Sequence, residues 1–92
     1  MYTSKSEVVR RNVGRRIAEL REEASETQFE LGGRIHLSLR YIQSVEAGAQ
    51  NLSLESLVKF ANAFRVPVGD LFTAPRTTPR GRGRPPSRTR RK

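Results

Sequence analysis

The stretch Thr27–Glu46, TQFELGGRIHLSLRYIQSVE, decides how the rest of the chain is read. It predicts two short helices joined by a tight turn. Thr27 with Glu30 three residues later forms a capping box, in which hydroxyl and carboxylate each satisfy the other residue's backbone amide. Leu31 and Ile35 fall one turn apart on one face. His36 stands where the first of these helices should stop, and histidine enters the left-handed region more readily than most residues. Ser38 caps the next helix, with Ile42 and Val45 pointing inward and Leu39, Arg40, Gln43 and Ser44 outward. Helix, turn and helix together have the length of the motif that places its second helix in a DNA major groove.

Working outward, Val9, Val13, Ile17 and Leu20 recur every three or four positions, which predicts a helix from Lys5 to about Glu23. Arg10, Arg11, Arg15 and Arg16 cover part of its other face. Downstream, Gly48 is the residue that ends the helix begun at Ser38. Ser53 caps a fourth helix, with Leu52 and Leu57 as its hydrophobic staple. Leu54, Leu57, Val58, Ala61 and Phe64 form its expected apolar face. Val66-Pro67 breaks it, and Pro67 opens a last short helix to Phe72. No stretch alternates as a strand does. The expected fold is all-α: five short helices around one core, spanning residues 5–73.

The 92 residues contain no cysteine and one histidine, which leaves no thiolate chemistry and no multi-histidine metal site. No carboxylate pair or nucleophile with a base stands at a catalytic spacing, so no enzyme, cofactor or metal is expected. No apolar run reaches the length of a membrane span or a secretion signal. The expectation is a soluble cytoplasmic protein associated with the nucleoid. The formal charge of +9 calls for a polyanionic partner. That charge is concentrated in residues 74–92, which hold eight basic residues and no acid, leaving 10 basic against 9 acidic groups before them. The reading is a nearly neutral domain followed by a disordered basic tail of Arg, Pro, Gly, Ser and Thr.

The combination Ile17, Leu20-Arg21, Thr27-Gln28, Leu31, Ile35, Ser38, Ile42, Glu46-x-Gly48, Ser53-Leu54, Leu57, Ala61 and Leu71-Phe72 resembles the Cro and phage-repressor (Xre-like) helix-turn-helix family. The likeness covers about Gly14 to Phe72 and implies a lambda-repressor-like domain. RYIQSVEAGAQNLSLESL is also similar to restriction-modification controller proteins, small dimeric members of that family. The chain departs from the pattern at Ser25 (usually Gly), Glu26 (usually apolar), Phe29 (often acidic) and the pair Gly32-Gly33. Gly32 falls where Ala is usual and helices pack closely. Gly33 has no such reason.

The resemblance implies a sequence-specific regulator on double-stranded DNA, a homodimer on a two-fold symmetric operator. Gln28 would donate to a phosphate at a helix N-terminus. Ser38, Leu39, Arg40, Gln43 and Ser44 would face the groove, Arg40 gripping guanine and Gln43 adenine. Tyr41 would either meet the backbone or pack inside. Arg21 and Glu46 would form a structural ion pair. Phe64, Leu71 and Phe72 are the expected dimer surface. In the tail, Arg82-Gly83-Arg84-Pro85 resembles an AT-hook core, in which Arg82 and Arg84 would line a minor groove; the alternative is a solvated polycation. A different class stays open: a protein-interaction module, such as an antitoxin or anti-repressor, binding an acidic protein partner through Phe29 and the tail.

Overall fold

The computed structural model describes residues 5–76. Its elements are α1 (Ser6–Glu23), α2 (Gln28–Ile35), α3 (Leu39–Glu46), α4 (Leu54–Phe64) and a 3-10 helix (Val68–Phe72). The described residues are helical and hold no strand. Local chemistry explains the boundaries. Thr27 Oγ1 accepts the Glu30 amide at 3.0 Å and Glu30 Oε1 accepts the Thr27 amide at 2.9 Å. Ser38 and Ser53 cap α3 and α4 by accepting the amides of Tyr41 and Ser56.

Each α-helix ends in a left-handed residue: Ser25 (φ 59°), His36 (64°), Gly48 (81°) and Arg65 (59°). After α1, the amides of Ser25 and Glu26 return to the carbonyls of Glu22 and Arg21. After α3, those of Gly48 and Ala49 return to Val45 and Ser44. These paired bonds satisfy carbonyls that the helix end leaves open. Three of the four sites lack glycine and carry the Cβ crowding of that region.

Ile17, Leu31, Ile42, Val45, Phe60 and Leu71 are fully buried, one or two from each element. Withdrawing such a side chain from water contributes about 1.5–3 kcal/mol. α3 lies on both α1 and α2, while the 3-10 helix lies on α1 and α4. α1 and α3 touch through their backbones, because a Cβ on Gly14 would collide with the Val45 carbonyl oxygen.

Two expectations need correcting. The buried face of α4 is Leu57, Phe60 and Ala61, whereas Leu54 is 77% and Val58 43% exposed. α4 carries more apolar residues than one face can bury, and its packing against α1 and the 3-10 helix selects the Phe60 side. The last element is a 3-10 helix from Val68, with Pro67 extended before it at ψ 151°. Among the described residues there are thus four α-helices and one 3-10 helix, at the five places where short helices were expected.

Candidate nucleic-acid interface

α3 is fixed from behind and open in front. Ile42 and Val45 are buried behind it. Arg21 Nε and Nη2 clasp Glu46 Oε2 and Oε1 at 2.7 and 3.0 Å. Arg21 Nη1 also donates to the Glu26 carbonyl at 2.7 Å. This pair, 12% and 7% exposed, joins the end of α1 to the end of α3. The Glu46 carboxylate raises the Arg21 pKa above its ordinary value, chiefly through these bonds. The expected structural pair is present.

On the open side, Leu39, Arg40 and Gln43 are exposed on one face of α3. That face has the reach of a groove-reading surface, with a forked cation and an amide beside an apolar contact. Ser38 is also exposed, its hydroxyl already capping Tyr41. Ser44 does not belong to this open face. It is half-buried, its hydroxyl donating to the Tyr41 carbonyl at 2.8 Å and accepting from Gln50 Nε2 at 3.0 Å. A residue six positions on thus takes up the side chain, which the helical repeat alone does not reveal. Tyr41 packs against the core, half-buried.

Gln28 sits at the first position of α2, as a phosphate donor requires, but its amide already donates to Glu46 Oε1 at 2.9 Å. Its second amide proton remains for an outside acceptor. Gln28, Glu46 and Arg21 thus form one network across α2, α3 and α1.

A second network replaces the apolar residue usual at position 26. Arg34 Nε and Nη2 clasp Glu26 at 2.6 and 2.9 Å, and Arg34 Nη1 reaches the Ala63 carbonyl at 3.0 Å. The loop before α2 is thereby tied to the end of α4. These bonds hold the Glu26 carboxyl below its ordinary pKa. Nothing in the spacing of positions 26, 34 and 63 announced this link. The cue that existed was a charged residue at an apolar position eight residues before an arginine.

Arg82 and Arg84 lie outside the described residues. The root of the tail does not: the Arg76 amide donates to Glu19 Oε2 at 2.6 Å, and its guanidinium meets Glu23 at 2.6 Å. Glu19 is 4% exposed and also pairs with Arg16 at 3.3 Å. Among the described residues no cluster of three potential metal ligands occurs, and no helix is long and apolar enough to cross a membrane.

The helix-turn-helix family model matches residues 17–71, from the core of α1 to the 3-10 helix. The chain belongs to the Xre-like helix-turn-helix family. Membership makes it a DNA-binding protein of the transcription-regulation class. It is 36% identical over 73 residues to the uncharacterised helix-turn-helix-type transcriptional regulator y4dJ of Sinorhizobium fredii, covering 79% of this chain and 95% of that protein. Among solved structures it is similar to the restriction-modification controller protein C.AhdI of Aeromonas hydrophila, with a TM-score of 0.69 and 29% identity over 75% of this chain and all of that one. It is also similar to the clp gene regulator ClgR of C. glutamicum, with a TM-score of 0.64 and 25% identity over 68% and 82% of the two chains.

Proposed function

We propose that the protein is a sequence-specific transcription regulator of repressor or controller type, acting as a homodimer on a two-fold symmetric operator. The observation that carries this is α3: held by Arg21–Glu46 and the core, it leaves Leu39, Arg40 and Gln43 in the open. Arg40 would take guanine O6 and N7, and Gln43 an adenine edge or the backbone beside it. Gln28 and Ser38 would meet phosphates. The basic tail, with Arg82 and Arg84 as its hook-like core, would add backbone or minor-groove contact.

The dimer surface is redrawn. Leu71 is fully buried in the subunit's own core and Phe64 packs against that core, so neither offers an open surface. Phe72 is 53% exposed, and Leu54 and Val58 join it as the large apolar side chains that α4 and the 3-10 helix leave outside. Exposed apolar groups of this size favour a second subunit over water.

The test is an unbiased selection of DNA sites by the full-length chain, beside Arg40→Ala. A palindromic motif that relaxes at one position per half-site in the variant supports the reading. Enrichment of random or A·T-rich DNA, unchanged in the variant, refutes it. One observation favours the second reading, a protein-interaction module: Phe29, at the start of α2, is 72% exposed with no core to cover it. Under that reading Phe29→Ala abolishes capture of an acidic protein partner while Arg40→Ala does not.

A further inference from the structure

The first half of α1, the loop from Gln50 to Leu52, α4 and the end of the 3-10 helix border a groove of about 270 Å³. Val9, Val13, Leu52, Leu57 and Phe72 make its walls mainly apolar, and no carboxylate lines it. Its one charged wall residue is Arg10. Arg10 Nη1 donates to Ser6 Oγ at 3.4 Å, a long bond to a neutral group one turn back. Arg10 Nε is buried, and among the described residues it is the one buried side-chain nitrogen or oxygen without a hydrogen-bond partner.

A buried donor without an acceptor costs free energy that a bound acceptor returns, and a guanidinium is best served by an anionic oxygen. Apolar walls around a lone cation suit a ligand that carries one carboxylate on a hydrocarbon body. A phosphodiester suits them poorly, because its polar surroundings would lose water against apolar side chains. The volume lies just below the range of roughly 300–1,000 Å³ that holds drug-sized molecules, which sets the ligand at the scale of a small acid. The groove also reaches α3. Gln50 lines it, and the Gln50 amide donates to Ser44 Oγ on α3 at 3.0 Å. We propose that this groove is a binding site for a small amphipathic carboxylic acid, held by Arg10 and read out at α3 through Gln50. A carboxylate on Arg10 competes for the Gln50 amide, and Ser44 then loses the bond that ties α3 to the loop after it. Bound acid thereby weakens operator binding. The walls include Phe72 but neither Leu54 nor Val58, so the groove opens beside the expected dimer surface and not on it. The link to α3 rests on the DNA-binding reading; the site itself does not.

The probe is octanoate, with octanol as its uncharged counterpart. Both are titrated into the full-length chain by calorimetry and by nitrogen–proton correlation NMR, which sees the Arg10 Nε–H directly. Octanoate should bind one per chain, about tenfold more tightly than octanol, the scale of one charge-assisted hydrogen bond. It should also shift the Arg10 Nε–H signal. Arg10→Gln should erase the preference for the acid. Lys59→Gln, which removes an exposed cation on α4 outside the groove, should keep it. Octanoate should lower affinity for the selected operator several-fold in wild type and leave Arg10→Gln unaffected. Equal binding of octanoate and octanol, binding at several sites per chain, or an unmoved Arg10 signal overturns the site, and none of these readings needs a variant. Octanoate bound with no change in operator affinity overturns the link through Gln50. If octanoate does not bind and Arg10→Gln turns a dimer into a monomer, the groove belongs to a second copy of the chain and the proposal fails. A wild-type chain that selects no operator overturns the DNA-binding reading instead, and calorimetry still decides the site.

Discussion

Replacing Gly33 with alanine, and separately Gly32, tests the packing account of α2 at two adjacent residues with opposite expected signs. Both lie inside the helix, where glycine costs about 0.8–1 kcal/mol relative to alanine. At Gly33 a Cβ would have no neighbour within 4 Å, so the propensity gain is realised in full. A stabilisation of about 1 kcal/mol raises the melting midpoint of a domain this size by about 4–8 °C. At Gly32 the same Cβ would stand 2.5 Å from the Leu37 carbonyl oxygen and 3.5 Å from Ile42 Cγ1. The nearer atom is backbone, and the Leu37 amide is itself bonded to the Gly32 carbonyl at 2.8 Å, so the turn has little room to retreat. Overpacking of this kind costs about 1–3 kcal/mol, which exceeds the gain in propensity. Gly32→Ala should therefore lower the midpoint, leaving a gap of about 2 kcal/mol between neighbours of identical chemistry. Thermal and urea unfolding followed by circular dichroism reads both variants. A Gly32→Ala protein stabilised as much as Gly33→Ala would refute the reasoning, because the turn would then not be held against α2.

Ser25→Gly should stabilise by about 1 kcal/mol, since Ser25 holds φ 59° where a Cβ is crowded; an unchanged urea midpoint counts against it. Arg21→Ala should cost about 3 kcal/mol by stranding the desolvated Glu46, whereas replacing both partners with apolar residues costs less; the two urea midpoints decide. Because the Glu26 carboxyl is held below its ordinary pKa by Arg34, the pair's contribution is full above the unfolded carboxylate value, about 4.3, and fades as pH falls through the lower folded value. Glu26→Gln should thus narrow the stability gap to wild type under acid, and parallel pH–stability curves would contradict that. A double Leu54→Lys, Val58→Lys variant should remain folded and sediment as a monomer at concentrations where wild type is a dimer; two identical sedimentation profiles would move the interface elsewhere.

Much of this protein follows from short-range chemistry that is written in the chain. The capping box at Thr27 and Glu30, the left-handed stop at His36, the Ser38 cap and the Gly48 terminus each depend on residues within a few positions. The Arg21–Glu46 pair is legible only through family likeness, since 25 residues separate the partners. What the sequence left open was settled by elements that meet in space. α4 has apolar residues on more than one face, and only the position of α1 and the 3-10 helix puts Phe60 inside and Leu54 outside. Helical periodicity counted Ser44 as outward, but Gln50 folds back from the following loop to bond it. Gln28 is shared between Glu46 and the outside because α2 starts beside the end of α3. Arg15 is one of five arginines on α1, and only tertiary packing places it on the wall of a groove beside α3. Local propensity fixes where a helix starts and stops. Which of its side chains are spent inside, and which remain for DNA, depends on neighbours that only the folded chain supplies.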